Sequence, residues 1–304
     1  MPAEFGTGLY LMTAKGEAVL QRLLADHGPN CVNYVVVAHD AGIEQDCYDS
    51  ITRLASDAGI PVHDRLTVPQ DLKQASHLFA VSWRWLIPLS AGQELIVLHD
   101  SLLPRYRGFA PLVSALINGD PEIGVTALFA NEEYDRGPII AQKSIAVNYP
   151  ITIAEAISAI APCYAELSSE VFDLLRADKT VGRTQDDATA TYSLWRDEQD
   201  YFVDWSWDAE RIRRFVDAVG SPYKGAATLV DGKRCRILSC EALPDVEVVD
   251  RSPGKVIFSH QGKPVVVCGK GLLRILRLID DPSRADALPL PKFRVRFKGY
   301  NPYE

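Results

Sequence analysis

The chain has 304 residues, a net charge of −8, 47% apolar residues and 24% charged ones. Length and composition fit a soluble globular protein of two domains or one large one, and they exclude collagen-like, disordered and disulfide-stapled chains. The acidic balance argues against a protein that coats nucleic acid, and no window reaches the ~18–20 consecutive apolar residues of a membrane span.

The opening MPAEFGTGLYLM lacks a basic stretch followed by a long apolar one, so the expected location is the cytoplasm. Residues 8–12 form a short apolar run, and Val19, Leu20, Leu23 and Leu24 recur at helical spacing within residues 15–25. NYVVVAH, residues 33–39, is rich in β-branched residues. A helix is predicted near residues 45–58, with Ile51, Leu54 and Ala58 on one face and Gly59 as its stop. Residues 78–82 and 95–98 are continuous apolar runs, the pattern of strands buried on both faces. Pro111–Asn118 reads as a further helix and residues 124–130 as a further strand. Strands alternating with helices predict an α/β fold with a doubly wound, mostly parallel, Rossmann-like sheet.

A longer helix follows. Thr152 and Glu155 read as a capping box, Ile153, Ile157, Ile160, Tyr164, Leu167, Val171 and Leu174 recur every three or four residues, and Pro162 is expected to kink the helix. Residues 177–191 are polar and aperiodic, the pattern of a linker. Beyond them a helix at 209–219 ends at Gly220. Short apolar runs at 226–230, 236–238, 255–258, 264–268 and 272–278, with Asp-Gly and Gln-Gly turns, predict a second, smaller β-rich domain of barrel or OB-like type. The predicted division is 1–177, a linker at 178–193, and 194–304. Charge divides at the same place: residues 1–193 carry 13 Lys and Arg against 24 Asp and Glu, and residues 194–304 carry 19 against 16.

No G-x-G-x-x-G follows the first strand, and the Walker and G-x-S-x-G patterns are absent. The six cysteines form no C-x-x-C pair, and His27, His39, His63, His77 and His260 show no ligand spacing, so no metal is expected. The informative stretch is 95–142, with LIVLHDSLLPRYRG and GVTALFANEEYDRGPIIAQ. His99 lies just beyond the C-terminal end of a buried strand, where open parallel sheets place their ligands. The loop after the next strand carries Asp135. If those strands are neighbours, about 4.8 Å apart, both side chains open from one edge. A carboxylate facing an imidazole orients the ring, and such a pair takes a proton from a nucleophile and stabilises an oxyanion. On the residues alone, the plainer readings are a satisfied polar residue at a strand end for His99 and an ordinary turn aspartate for Asp135.

These segments resemble the folate-dependent formyltransferases, which carry N-x-H-x-S-L-L-P followed by R-G, and then G-V-T and D-x-G-x-I. The matching residues are His99, Ser101-Leu102-Leu103-Pro104, Arg107-Gly108, Gly124-Val125-Thr126, and Asp135-x-Gly137 with Ile139. The resemblance covers residues 8–175 well and 194–278 loosely, the latter opening at Val203-Asp204-Trp205. It implies a formyltransferase-type catalytic domain, with N10-formyltetrahydrofolate as co-substrate and His99 and Asp135 as catalytic residues. It further implies folate contacts at Trp85, Leu86, Ile87, Glu132 and Asp135, and substrate contacts at Ser101, Arg107 and Gly108. One position departs: the asparagine two residues before the histidine, which with it binds the formyl oxygen, is Val97 here. Losing one such donor costs ~10²–10³ in rate, about 2.7–4 kcal/mol.

Within the family the likeness is greatest to formyltransferases of nucleotide-linked amino sugars, including the one acting on UDP-4-amino-4-deoxy-arabinose. CYDSITRLASDAGIPV (47–62) and GKVIFSHQGKPVVVCGKGLLRIL (254–276) carry it. The expected partner is a small nucleotide-linked amine. The first alternative is formylation of methionyl-tRNA, whose enzymes share both domains but carry a basic insertion after the second strand. The loop here, residues 39–46, has three carboxylates and no Lys or Arg, a rim expected to repel phosphates. Against that, Lys292, Arg294, Arg296 and Lys298 alternate and would share one strand face, which could hold a diphosphate, a partner or RNA, although charged edge strands that block aggregation are commoner. A second alternative is a family member that binds folate or nucleotide sugar without turnover. A homodimer stays open.

Overall fold

A computed structural model describes residues 5–40, 42–43, 46–69, 72 and 75–300. By contact the chain divides into two compact units, the first formed by residues 1–112, 121–147 and 155–194, the second by 113–120, 148–154 and 195–304. No helix among the described residues is long and apolar enough to cross a membrane.

In the first unit the chain runs through β1 (Thr7–Leu11), α1 (Thr13–His27), β2 (Tyr34–Val37), α2 (Tyr48–Asp57), β3 (Val62–Asp64), β4 (His77–Val81) and β5 (Glu94–His99). It continues through β6 (Arg107–Gly108); α3 (Pro111–Asn118) then falls largely in the second unit, and the first resumes with β7 (Glu122–Phe129), β8 (Ile139–Ala146), α4 (Ile153–Arg176, all but its first two residues) and β9 (Tyr192–Ser193). Seven strands form one sheet in the order β3-β2-β1-β4-β5-β7-β8. Its first five strands are parallel, and Leu9, Leu11, Val35, Val36, Val37, Phe79 and Val81 are fully buried, as strands covered on both faces require. α1 buries Val19, Leu20 and Leu23, and Gly16 allows close approach, since a Cβ there would stand 3.1 Å from Leu11 Cβ. The strand order reverses at β1, which pairs with both β2 and β4. The ligand crevice of an open α/β sheet lies at the carboxyl ends of strands flanking such a reversal. There the Thr13 and Ser82 hydroxyls hydrogen-bond at 3.0 Å.

The structure differs from the sequence reading at several points. β7 runs antiparallel to β5, and β8 antiparallel to β7, so the far side of the sheet is a hairpin and not a further parallel crossover. β8 escaped detection because IIAQKSIA is an edge strand: only Ile139 is buried, and its neighbours are half-buried or exposed. Residues 178–193, read as a linker, fold onto the first unit. Tyr192–Ser193 pairs with Arg107–Gly108, Arg183 and Ile139 exchange two backbone hydrogen bonds of 2.8 Å, and Gln185 is buried. α4 runs through Pro162 as one helix.

The second unit holds α5 (Ala209–Ala218), β10 (Ala226–Val230), β11 (Lys233–Leu243), β12 (Val256–His260), β13 (Lys263–Val267), β14 (Leu272–Asp280) and β15 (Phe297–Lys298). The strands form an antiparallel sheet in the order β12-β13-β14-β11-β10-β15. Asp231-Gly232 and Gln261-Gly262 have positive φ at both positions, the backbone of the tight hairpin turns their sequences predict. Asp208 caps α5 by accepting from the Arg211 N–H at 2.8 Å, and Ile212, Phe215 and Val216 form its buried face.

Candidate active site

His99 ends β5 and is 7% exposed. Its Nε2 donates to the Tyr106 carbonyl at 2.8 Å, and its Nδ1 stands 3.3 Å from Asp135 Oδ1. The pair expected from sequence is therefore present, but by a different route. Because β7 is antiparallel, the loop that follows it starts beside the beginning of β5, where the Ala130 N–H donates to the Leu95 carbonyl at 2.8 Å. The four-residue span from Leu95 to His99 covers about 13 Å at ~3.3 Å per residue. The five residues from Ala130 to Asp135 reach up to about 17 Å, so the loop can double back to the far end of β5. Its return demands special backbone. Asp135 has φ +56°, a region aspartate tolerates, and a Cβ on Gly137 would lie 1.7 Å from the Phe129 carbonyl oxygen.

Both oxygens of Asp135 are engaged, since Oδ2 accepts from the Gly108 N–H at 2.8 Å. Gly108 has φ +100° and sits so near β9 that a Cβ would meet the Ser193 carbonyl oxygen at 2.5 Å. Arg107 is 1% exposed; its guanidinium donates to Gln185 Oε1 at 3.1 and 2.9 Å and pairs with Asp187 at 2.8 Å. Asp187 also takes Arg136 at 2.6 Å, and the hydrogen bonds from Arg107 and then Arg136 hold its carboxyl below the usual carboxylate range. Ser101 is buried, with Oγ donating to the Arg105 carbonyl at 2.7 Å. Ser101, Arg107 and Gly108 thus meet protein partners, and they build the walls that hold His99 and Asp135.

Val97 lies two residues before His99 on β5 and packs against Leu103, Leu128 and Ile139. It supplies no donor. Farther along the sheet edge, Trp83 stacks edge-on against Tyr10 and Trp85, and its buried Nε1–H has no hydrogen-bond partner among the described residues. Trp85 is 37% exposed beneath the Arg65 guanidinium, 4.1 Å from its ring centroid. Leu86 is exposed, Ile87 packs on the cluster around Tyr10 and Leu78, and Glu132 is exposed in the loop that carries Asp135.

The loop at residues 39–46 is less anionic than its sequence suggests. Asp40 is buried and paired with Arg84, while Asp46 accepts from the Asp40 N–H and faces His39 Nδ1 at 2.8 Å. Glu44 lies outside the described residues. Sequence reasoning also missed Lys15, which is 7% exposed and paired with Asp100, the residue after His99. The signal was available: Lys15 lies four residues before Val19, on the apolar face of α1. Burial pushes the Tyr164 hydroxyl up, and the Asp100 charge adds to it. Gln185 gave no sequence signal, because it sits in a polar, aperiodic run.

Comparison with known proteins bears on this arrangement. The formyl transferase family model matches residues 85–163, and the model of the formyl transferase C-terminal domain matches residues 196–287. The methionyl-tRNA formyltransferase of Methylococcus capsulatus is 30% identical over 275 residues, 85% of this chain and 87% of that protein. The enzyme of the same name from Caldanaerobacter subterraneus is 32% identical over 62% of this chain and 60% of its own length. Among solved structures, an N-formyltransferase from Helicobacter canadensis in complex with folinic acid and dTDP-3-aminofucose aligns with a TM-score of 0.67 at 14% identity. That alignment covers 90% of this chain and 99% of that one.

Proposed function

The chain belongs to the formyl transferase family of one-carbon group transferases, and from that premise we propose that it moves the formyl group of N10-formyltetrahydrofolate to the primary amine of a nucleotide-linked amino sugar. The observation that carries the transfer chemistry is the pair of buried His99 and half-buried Asp135, 3.3 Å apart at the crevice end of β5. The amine nitrogen attacks the formyl carbon, a new C–N bond forms, and the bond from that carbon to N10 breaks. The attacking nitrogen loses one proton and N10 gains one, so an imidazole and carboxylate that accept and return a single proton balance the reaction. The formyl oxygen carries negative charge at the tetrahedral stage. His99 Nε2–H, which donates to the neutral Tyr106 carbonyl, has a stronger acceptor in that oxyanion. Exposed Trp85 and Leu86 and half-buried Ile87, together with Glu132 and Asp135 of the folded-back loop, are the surface for the pterin ring. Its wide aromatic face at Trp85 suits a flat heterocycle.

The absence of Lys and Arg from residues 39–46 supports a small acceptor. Formylation of methionyl-tRNA is the second reading. It is favoured by the sequence relatives and by the outward row of Arg294, Arg296 and Lys298, whose alternating neighbours Val295 and Phe297 are buried. Burial of Asp40 against Arg84 also removes part of the repulsion expected at that loop. Mass spectrometry after incubation with N10-formyltetrahydrofolate decides between them. A +28 Da product on an amino-sugar nucleotide supports the first reading, whereas product on methionyl-tRNA alone overturns it in favour of the second. The two-domain organisation, with an OB-like second domain in a cytoplasmic enzyme, completes the proposal.

A further inference from the structure

Asp135 can serve His99 only while its loop holds a left-handed backbone at φ +56°, a conformation that costs roughly 1–2 kcal/mol for a residue with a Cβ. Residues 131–134 of that loop are exposed, and the Gly108 N–H holds only the Asp135 carboxylate, not its backbone. The restraint comes from Gln185. Its Nε2 donates to the Asp135 carbonyl and to the Gly137 carbonyl, each at 2.8 Å, and its Oε1 accepts from Arg107 Nε and Nη2 at 3.1 and 2.9 Å. A carboxamide has two donor hydrogens and two acceptor lone pairs, and all four are used here. The side chain is 8% exposed, and Arg107 behind it is 1% exposed. The amide orientation is fixed by its partners: the nitrogen faces two carbonyls and the oxygen faces a guanidinium. Arg107 also pairs with Asp187 at 2.8 Å, a contact that does not reach Asp135 or Gly137.

We propose that Gln185 is a positioning residue that holds Asp135 in register with His99, an inference that rests on the reading of that pair as the catalytic dyad. Gln185→Glu keeps the shape and the acceptor for Arg107 but sets carboxylate oxygens against two carbonyls. Gln185→Met keeps the length with no polar atom. Asp187→Asn weakens the charge pairs and leaves the amide bonds in place.

The test measures kcat and KM for N10-formyltetrahydrofolate, with the acceptor that is formylated in the panel above. The variants are Gln185→Glu, Gln185→Met, Asp187→Asn, Asp135→Asn and the Asp135→Asn/Gln185→Glu double. The expected result is a kcat loss of at least tenfold in both Gln185 variants with KM within threefold. Asp187→Asn stays within threefold of the parent. The double variant is no slower than Asp135→Asn alone, because a residue acting through Asp135 has nothing left to position. Histidine ¹⁵N spectra give a readout independent of any acceptor: the His99 signals shift in Gln185→Glu as they do in Asp135→Asn, and stay at parental positions in Asp187→Asn. Parental kcat and parental His99 signals in both Gln185 variants overturn the inference, as do losses that multiply in the double variant. Parental kcat in Asp135→Asn instead overturns the catalytic reading of the dyad, and the inference falls with it.

Discussion

Val97 and His99 stand on the same face of β5, two residues apart, yet Val97 packs with Leu103, Leu128 and Ile139 while both His99 nitrogens meet polar partners. The boundary between apolar wall and reactive group therefore falls between these two positions. In the pattern this segment resembles, an amide donor lies on the reactive side of that boundary. Val97→Asn is close to volume-conserving and restores it. The expected result is a rise in kcat of at least tenfold, toward the ~10²–10³ that one oxyanion donor is worth. Stability falls by about 1–3 kcal/mol, since an amide beside three apolar side chains is only partly satisfied. Steady-state kinetics and a thermal melt of the same sample check both. An unchanged kcat would show that the present site already holds its oxyanion through other donors.

Trp85 offers a different kind of contribution. Its ring is 37% exposed and has Arg65 over one face, 4.1 Å from the centroid. A ring that stacks on substrate and transition state alike affects binding and leaves the chemical step alone. Trp85→Ala is expected to raise KM for N10-formyltetrahydrofolate by roughly 5- to 30-fold, the equivalent of about 1–2 kcal/mol, with kcat changed less than threefold. A fall in kcat at constant KM would remove Trp85 from the folate surface.

The parallel core was legible in the sequence for physical reasons, whereas the pairing of His99 with Asp135 came from the family resemblance. Runs such as Val35-Val36-Val37 have few conformations other than a strand buried on both faces, and His99 at the end of such a run falls where the fold opens. The antiparallel partner of β7 was hidden because Gln142, Lys143 and Ser144 make a polar, half-buried to exposed run in an edge strand and imitate a loop. Gln185 was hidden for a related reason. Its four hydrogen bonds join Arg107, Asp135 and Gly137, residues 48 to 78 positions away in the chain. No local pattern encodes a contact of that range. Asp40 shows the converse error: the sequence displays a charge, but burial against Arg84 removes much of its effect on an approaching phosphate.

Gly108 tests how firmly the Asp135 carboxylate depends on backbone. Its N–H donates to Asp135 Oδ2 at 2.8 Å, its φ is +100°, and an added Cβ would meet the Ser193 carbonyl oxygen at 2.5 Å. Gly108→Ala must push β6 away from β9 or rotate the peptide that donates to Asp135. Either movement is expected to lower kcat at least tenfold, and the strained φ adds about 1–2 kcal/mol of destabilisation. Kinetics and denaturant unfolding of the variant check the two effects. A variant that loses stability and keeps kcat would detach the Gly108 amide from the function of the pair.

Arg236 in the second unit is expected to contribute to the acid sensitivity of stability. It is 1% exposed, donates to Asp281 Oδ1 at 2.8 Å and Oδ2 at 3.1 Å, gives a further hydrogen bond to the Gly225 carbonyl at 3.1 Å, and pairs with Glu198. Burial pushes both carboxyls up, but Arg236 outweighs it, with Arg234 aiding at Asp281 and Lys224 at Glu198. Both carboxyls therefore end below their ordinary values. A carboxyl depressed in the folded state contributes stability that is complete above its unfolded value, near 4, and is lost as pH falls through the folded value. The melting temperature should accordingly vary little from these groups between pH 5 and 8 and decline below about pH 4. Arg236→Met leaves Asp281, 9% exposed, without its main partner, while Glu198 at 38% exposure is partly screened by solvent. The expected cost is about 3 kcal/mol, the lower end for breaking a buried pair, or roughly 10 °C in the melt. The acid decline should also be shallower in the variant, because carboxyls no longer depressed by Arg236 lose less on protonation. Calorimetric melts of both proteins from pH 3 to 8 measure this directly, and parallel curves across that range would place the acid-sensitive interaction elsewhere.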